Sequence, residues 1–383
     1  MKRCIYLNNA ATTYPKPPEV LEAVASLLAA PPIHHARAGF QEPAGDVLAE
    51  CRRRLAALFN APDPDRIAFS SGSTESLNLA IHGLPLTHKE VVTTVVEHNS
   101  VLRPLKTLER RGLLDLVLVP CDESGFVAPE AIKKALTSQT GAVVVNHASN
   151  VTGVPNDLEA IGGLCDGRGI PFMVDASQSA GVQPIDVQSM HIDILAFTGH
   201  KSLYGIPGIG GAYIREGLEV QPLKVGGTGV RSDYLFQPED APLLYEAGTQ
   251  NLPGVAALNA GLAHITSRGV DRIRQRKEEL VQLFLEGLSG RKGLSLHPPT
   301  SARRRTTMVS LNVDGMDPAD LGYVLERGFG IVVRSGLHCA PLIHRHLGTH
   351  PRGSVRISPS HFTSEEDMEA LSEALGQTLQ MAA

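Results

Sequence analysis

The sequence predicts an α/β fold with a large, mostly parallel, doubly wound sheet and a smaller α+β part. In the middle of the chain, short runs of β-branched residues alternate with segments of helical spacing. This order is typical of strand–helix–strand units in parallel sheets. From about residue 256 onward, long helical segments dominate. The length of 383 residues also exceeds what one small core organises, which favours two domains.

Four strands and one helix are predicted in the central region. The helix is "DLEAIGGLCDGRG", with Asp157 as its N-cap and Gly169 near its end. The strands are rich in apolar and β-branched residues, as buried strands are. They are "EVVTTVVEH", "GAVVVNHAS", "IPFMVDAS" and "DILAFTGH".

The C-terminal region predicts helices around a second group of strands. The helical pattern of "VAALNAGLAHITSRGVDRIRQRKEELVQLFLEGLSG" is expected to break near Gly269. "TTMVSLNVDG" predicts a strand, and "PADLGYVLERGFGIVVRSG" predicts a helix followed by a strand. Thr363 and Glu366 fit a capping box at the start of the last helix. We expect a large domain over 15–255 and a small α+β domain formed by 1–14 and 256–383.

Charge and composition argue against several classes of protein. The net charge of −5 and the pI near 6.3 give no reason to expect nucleic acid. No run reaches the roughly 18 apolar residues of a membrane span, and the N-terminus lacks the apolar core of a signal peptide. We therefore expect a soluble, cytoplasmic protein with no membrane contact. The basic run "ARRRTT" (302–307) is interpreted as a solvated loop.

Cysteine and histidine spacing does not predict a metal site. The five cysteines include no C-x-x-C pair, so neither a disulfide framework nor a zinc site is expected. His344, His346 and His350 have a spacing unlike that of helical zinc motifs and are interpreted as part of a surface loop.

Polar side chains follow the predicted central strands, where ligands of open α/β sheets bind. The segment "FSSGSTESLNLAI" adds Ser73 and Thr74 at the start of a helix, a position suited to phosphate. Singly, each residue has an ordinary interpretation as a cap, a core histidine or a solvated lysine. Together they match the needs of pyridoxal phosphate: a phosphate site, a carboxylate for the ring nitrogen and a Schiff-base lysine. The residues after the strands are His98, Asn150, Asp175, Gln178, Thr198, His200 and Lys201.

The ordered motifs resemble those of the cysteine desulfurases. These enzymes belong to the class V aminotransferase group, which has the pyridoxal-phosphate-dependent fold type I. The resemblance extends from Tyr6 to the final helix. The motifs are "YLNNAATT", "FSSGSTESLNLAI", "VVEHNS", "SNVTGV", "VDASQSAG", "FTGHKSLYGIPGIGG", "YEAGTQN" and "RSGLHCAP".

The resemblance implies a role for each candidate residue. Lys201, Cys339 and His98 are implied as catalytic residues. Arg356 is implied to bind the substrate carboxylate, which a guanidinium matches bidentately. The other implied substrate contacts are Asn9, Ala10 and Arg334. The implied cofactor contacts are Ser73, Thr74, His98, Asn150, Asp175, Gln178, Thr198, His200 and Lys201, with Gly248 and Thr249 reaching the site of the other subunit in a homodimer.

The expected reaction converts L-cysteine to L-alanine and leaves a persulfide on Cys339, which an acceptor protein collects. A free thiol is mostly protonated at neutral pH, so a cation is required beside it, and His338 and Arg334 are the candidates. The sequence departs from the family pattern at Asn8, where relatives usually carry aspartate, at Leu337 and over 226–245.

Two alternatives remain at this point. The first is a pyridoxal-phosphate carbon–sulfur lyase acting on cysteine or cystine, or a selenocysteine lyase, that releases the sulfur group directly. The second is a non-catalytic scaffold. The presence of Lys201, Asp175, Cys339 and Arg356 argues against the scaffold.

Overall fold

The computed structural model describes residues 4–30, 46–298 and 307–382. Most of the "ARRRTT" run, interpreted above as a solvated loop, lies outside the described residues. The strands are β1 (Ile5–Tyr6), β2 (Ile67–Ser70), β3 (Lys89–Thr94), β4 (Leu114–Val119), β5 (Thr140–Asn146), β6 (Phe172–Asp175), β7 (Ile194–Thr198), β8 (Gly210–Ile214), β9 (Leu294–His297), β10 (Val309–Val313), β11 (Ile331–Val332), β12 (Arg334–Gly336) and β13 (Ser354–Ile357). The helices are α1 (Pro18–Ala29), α2 (Val47–Phe59), α3 (Ser73–Gly83), α4 (Asn99–Arg110), α5 (Pro129–Ala135), α6 (Leu158–Asp166), α7 (Leu252–Arg268), α8 (Val270–Gly287), α9 (Pro318–Phe329), α10 (Pro341–His346) and α11 (Glu365–Ala382).

The large sheet has seven strands in the order β2-β8-β7-β6-β5-β3-β4. Strands β3 to β7 pair in parallel, and β8 runs antiparallel to both β7 and β2. Alternate residues of β5 belong to different apolar clusters, Ala142 and Val144 to one and Val143 and Val145 to the other. The sheet is therefore buried on both faces, as predicted, and the carboxyl ends of its parallel strands meet at one edge.

A second, four-stranded sheet has the order β12-β13-β10-β9, and β1 pairs with β11 beside it. Ile5 and Leu7 lie in the same apolar cluster as residues of β10, β13 and α11. The N-terminal strand thus packs with the C-terminal part of the chain, while α7 packs on α1 and α2. The boundaries between the two domains stay a prediction.

Local signals at helix ends were mostly correct. The predicted break falls at Gly269, where φ is +86° between α7 and α8, and Asp157 caps α6 by accepting the N–H of Ala160. The predicted capping box is wrong by one residue. Ser364 Oγ accepts the N–H of Asp367 and Asp367 Oδ2 accepts the N–H of Ser364, both at 3.2 Å.

Candidate active site

A cavity of about 340 Å³ opens at the carboxyl edge of the large sheet. It is lined by residues from β6 and β7, from the starts of α3 and α4, and from β12 and β13. The predicted residues that line it are Ala10, Ser73, Thr74, His98, Asn150, Asp175, Gln178, Thr198, His200, Lys201, Arg334 and Arg356.

One end of the cavity is built for an anion. The N–H groups of Ser73 and Thr74, at the start of α3, have no hydrogen-bond acceptor among the described residues. Gly72 precedes them with φ +152°, a conformation that a side chain would strain. The buried Nδ1 of His200 also lacks a partner in the described structure. Free N–H groups at a helix start are suited to phosphate.

Asp175 and Lys201 supply the opposite charges of the cavity. Asp175 ends β6, and its Oδ1 accepts hydrogen bonds from the N–H and hydroxyl of Ser177. Its Oδ2 has no donor among the described residues and is available to a ligand. Burial lowers the pKa of Lys201 to about 8, although the Asp175 carboxylate acts in the opposite direction. The lowered pKa increases the fraction of neutral amine, the form that attacks a carbonyl.

The N-terminal segment fixes the backbone that carries Lys201. The carbonyl oxygen of His200 accepts from the N–H of Thr13 at 3.1 Å, the hydroxyl of Thr12 at 3.2 Å and Nζ of Lys16 at 2.7 Å. The Thr13 hydroxyl donates to the Lys201 carbonyl at 2.7 Å. Residues 12–16 therefore hold both peptide carbonyls next to the lysine.

His98 lines the cavity and is held in a defined orientation. It is the N-cap of α4, and its Nδ1 accepts the N–H of Ser100 at 3.1 Å. Accepting at Nδ1 leaves the proton of a neutral imidazole on Nε2. Burial lowers the pKa of His98 to about 4. The ring is therefore neutral near pH 7 and can stack on an aromatic ligand.

Asn150 and Gln178 enter the site through their amides, whereas Asn9 does not enter it. Asn150 Nδ2 donates to the His338 carbonyl at 2.7 Å, and its buried Oδ1 has no partner in the described residues. Gln178 Nε2 donates to the Ala10 carbonyl at 3.0 Å. Asn9 does not line the cavity, and its amide bonds to the backbone of Tyr6, Tyr14 and Ser358, so its substrate contact stays a prediction.

Arg356 is a fully buried cation with only neutral partners. Its Nη1 donates to the Asn150 carbonyl at 2.8 Å, and its Nη2 to Oδ1 of Asn8 at 3.4 Å. Its buried Nε has no acceptor among the described residues. Asn8, one of the departures from the family pattern, therefore leaves the guanidinium without a carboxylate, so that an anionic ligand can supply one.

Cys339 does not line the cavity itself but lies on a strained turn beside Arg334, which does. His338 and Cys339 both have positive φ, +50° and +61°, which non-glycine residues seldom adopt. Cys339 is exposed, and Nη2 of Arg334 lies 3.5 Å from its Sγ. Arg334 is thus the cation beside the thiol.

The other candidate for the cation beside Cys339, His338, does not have this role. Its side chain is buried, its Nε2 contacts the Ser354 carbonyl at 3.1 Å, and burial lowers its pKa to about 2. The ring instead packs near His344, with 5.6 Å between centroids. His344 corrects another prediction, because it is buried in α10 and not in a surface loop. No group of three or more His, Cys, Asp or Glu side chains within the described ranges could hold a metal ion.

Gly248 and Thr249 do not line this cavity. Both are exposed, and a buried anchor just before them fixes their segment. Nη2 of Arg52 lies 2.7 and 2.6 Å from the two carboxylate oxygens of Glu246, and Oε1 of Glu246 also accepts the N–H of Phe69 at 2.7 Å. The contact in trans that the resemblance implies stays a prediction.

Sequence reasoning missed several residues that organise the site. Ser177 holds Asp175, and the Ser100 hydroxyl lies 2.8 Å from Thr74 Oγ1 and 2.9 Å from His98 Nδ1. Glu97 is fully buried, and burial raises its pKa to about 8, so it is largely a neutral acid near pH 7. The position of Ser177, two residues after a strand-end aspartate, was a usable turn signal. The contact between Ser100 and Thr74 depends on tertiary packing.

Comparison with known proteins gives a consistent family. The model of the family described as Aminotransferase class-V matches residues 5–371. A probable cysteine desulfurase of Pyrococcus abyssi is 34% identical, over 95% of this chain and 92% of the relative. One of Methanothermobacter thermautotrophicus is 32% identical, over 97% of this chain and 94% of the relative.

Solved structures agree with this assignment. The apo structure of a cysteine desulfurase from Thermococcus onnurineus NA1 has a TM-score of 0.90 at 32% identity, covering 99% of this chain and 95% of that one. The cysteine desulfurase CsdA (S-sulfonic acid) from Escherichia coli has a TM-score of 0.88 at 27% identity, with the same coverage. These likenesses confirm the predicted fold type I. Separately, no helix in the described parts of the chain is both long and apolar enough to cross a membrane.

Proposed function

Because the chain belongs to the class-V aminotransferase family and to the cysteine desulfurases within it, we propose that it is a pyridoxal-phosphate-dependent cysteine desulfurase. It converts L-cysteine to L-alanine and forms a persulfide on Cys339, from which an acceptor protein takes the sulfur.

The free polar groups of the cavity fit pyridoxal phosphate. The N–H groups of Ser73 and Thr74, with Thr198 and His200, suit the phosphate, and Oδ2 of Asp175 suits a protonated ring nitrogen. Neutral His98 suits a ring face, and Lys201 supplies the amine. When bound, the cofactor supplies an electron sink for bonds at the substrate's α-carbon.

The chain's own residues then bind the substrate and move its protons. Arg356, whose Nε has no acceptor among the described residues and whose Nη1 and Nη2 donate only to neutral oxygens, binds the α-carboxylate. Nζ of Lys201, with its pKa lowered to about 8 by burial, takes the α-proton and later returns a proton to carbon. The same group therefore serves as base and then as acid.

Sulfur transfer takes place at Cys339. A Cys339 thiolate, beside the Arg334 guanidinium, attacks the substrate sulfur and forms an S–S bond. The substrate C–S bond breaks, and its electron pair stays with the carbon, which is protonated to give the methyl group of alanine. Cys339 is left as a persulfide, so the transfer needs no external oxidant.

The observation that carries this proposal is the exposed Cys339 Sγ, 3.5 Å from Arg334, a residue that lines the lysine cavity. A lyase that releases the sulfur group directly has no need of this thiol. The short linker between β12 and α10, residues 337–340, supports transfer to a separate acceptor, because so short a segment restricts how far Cys339 can move.

The deciding experiment measures products from L-cysteine with wild-type protein, Cys339→Ser and Cys4→Ser. Cys4 is the matched control, because it and Cys339 are the two exposed free thiols of the described residues. We expect alanine from the wild type and from Cys4→Ser, with a persulfide on Cys339 seen by mass spectrometry. Cys339→Ser should keep the cofactor absorbance near about 400 nm but lose alanine formation by about 100-fold or more.

Two results would overturn the proposal. Pyruvate and ammonia in place of alanine would indicate a lyase. Undiminished alanine and sulfide formation by Cys339→Ser would remove Cys339 from the reaction. The same assay with cystine and selenocysteine defines the preferred substrate.

The catalytic unit is proposed to be a homodimer. Exposed Gly248 and Thr249, lying outside their own cavity, support a contact with a second subunit. Mixing Lys201→Ala with Thr249→Ala subunits tests this, because a mixed dimer regenerates one complete site. Recovery of activity on mixing is expected, and a strictly monomeric, active protein would refute the proposal.

A further inference from the structure

Outside the cavity, four side chains from distant segments form a continuous hydrogen-bonded network. Oε1 of Glu19, on α1, lies 2.8 Å from Nδ1 of His264, on α7. Nε2 of His264 lies 3.1 Å from Nε2 of His361, which follows β13. Nδ1 of His361 lies 2.7 Å from the hydroxyl of Tyr204. We call Glu19, His264, His361 and Tyr204 the histidine network.

Only one arrangement of protons satisfies the network when both histidines are neutral. The ionised Glu19 carboxylate only accepts, so Nδ1 of His264 carries its proton and Nε2 accepts. His361 must then donate from Nε2 and accept at Nδ1, which leaves Tyr204 as the donor. Burial, with the nearby charges of Lys277 and Arg268, lowers the pKa of His361 to about 4 and keeps it neutral. With both rings neutral, every donor of the network points one way, from Tyr204 towards Glu19.

Tyr204 and His361 lie close in sequence to Lys201 and Arg356, the two groups that the proposed reaction must align. Tyr204 is three residues after Lys201, its N–H donates to the Lys201 carbonyl at 2.9 Å, and its φ is +60°. Its side chain is 1% exposed. His361 is five residues after Arg356, on the same connection as Ser358, whose hydroxyl accepts the N–H of Ala10 at 2.9 Å.

We infer that His361 and His264 are positioning residues that hold the turn carrying Lys201 in register with the strand carrying Arg356. The side chains do not touch the cavity and act only through Tyr204 and the connection after β13. The expected effect of these residues on catalysis rests on the proposed function. Their expected effect on the stability of the turn that carries Lys201 rests on the geometry alone.

The test uses substitutions at 361 that separate the two hydrogen bonds. An asparagine oxygen takes the place of Nδ1, so His361→Asn keeps an acceptor for Tyr204. A glutamine nitrogen takes the place of Nε2, so His361→Gln keeps a donor for His264 but loses the Tyr204 bond. His361→Phe loses both. His88→Asn is the control, because His88 is exposed, has no side-chain hydrogen bond in the described structure and has φ +59°, which asparagine tolerates.

Two measurements follow on each protein. In cofactor-free protein, hydrogen exchange of the peptide over 199–205 should rise about 10-fold in His361→Phe and His361→Gln, but little in His361→Asn. In the assay with L-cysteine, KM should rise about 10-fold in the same two variants, with a smaller change in kcat, because alignment with Arg356 is what is lost. If His361→Phe fails to fold, Tyr204→Phe removes only the donor and should reproduce both effects.

The outcomes distinguish this inference from the proposed function. Equal exchange and equal KM for His361→Phe, Tyr204→Phe and His88→Asn would overturn the positioning role. Equal exchange and equal KM for His361→Asn and His361→Gln would also overturn it. If the wild type forms no alanine but the exchange pattern appears as expected, the proposed function fails and the link between the two segments stands.

Discussion

Replacing Arg356 with methionine should stabilise the cofactor-free protein while removing its affinity for substrate. The guanidinium is 0% exposed, and its acceptors are the Asn150 carbonyl and Oδ1 of Asn8. No carboxylate of the described residues forms an ion pair with it. A buried charge with neutral partners is unfavourable for folding and favourable for binding an anion.

The magnitude follows from the surroundings of Arg356. Burial, together with the like charge of Arg334, lowers the pKa of Arg356 from 12.5 to about 9. A lowering of this size corresponds to about 5 kcal/mol of unfavourable free energy for the charged form. The methionine removes that contribution but leaves two acceptors unpartnered, at about 1–2 kcal/mol each. The free energy of unfolding of Arg356→Met should therefore exceed that of the wild type by about 1–3 kcal/mol.

Urea denaturation followed by circular dichroism measures the stability, because the chain has no tryptophan to report by fluorescence. Steady-state kinetics with L-cysteine should show a KM raised about 100-fold or more, since a charge-assisted, bidentate contact is lost. Arg356→Lys, which keeps a charge, is the control and should gain no stability. A methionine variant that is less stable than the wild type, or that keeps its KM, would refute the reasoning.

Two further predictions concern other buried groups. Glu246→Gln leaves Arg52 buried without a counterion and should lower the free energy of unfolding by about 3 kcal/mol in urea denaturation; equal stability would contradict this. Burial lowers the pKa of His147 to about 4, so the folded protein keeps it neutral while the unfolded chain binds a proton below about pH 6.5. The free energy of unfolding therefore falls as the pH falls from about 6.5 to about 4, by up to about 3 kcal/mol. His147→Gln should remove this part of the pH dependence. Denaturation curves recorded at about pH 7 and about pH 5 measure the difference.

The sequence was sufficient to predict the fold and the groups at the strand ends. Parallel strands with buried faces have a distinct pattern, and their carboxyl ends meet at one edge, so His98, Asp175 and Lys201 could be brought together without coordinates. The direction of a side chain in a turn was not predictable in the same way. His338 and Cys339 are adjacent, yet the left-handed turn sends one into the core and leaves the other exposed.

Contacts between distant segments could not be predicted from the sequence either. The histidine network joins residues of α1, α7, the turn after Lys201 and the connection after β13, and no spacing rule links such positions. Each of its histidines, taken alone, has the ordinary interpretation of a core or surface residue. Only the packing of the helices on the sheet determines which ring nitrogens meet.

The charge balance of the cavity explains why it suits two separate anionic groups, a phosphate and a carboxylate. Lys201, Arg334 and Arg356 contribute positive charge, and Asp175 is the unpaired carboxylate of the lining, because Glu75 is paired with Lys224 at 2.5 Å. Burial keeps the lining histidines neutral near pH 7, so they add no charge of their own. A phosphate at the start of α3 and a carboxylate at Arg356 would therefore each compensate part of an excess of positive charge that the described protein does not neutralise itself. This excess of positive charge destabilises the cofactor-free protein. For the same reason, the cavity binds a phosphate together with a carboxylate more strongly than it binds neutral ligands.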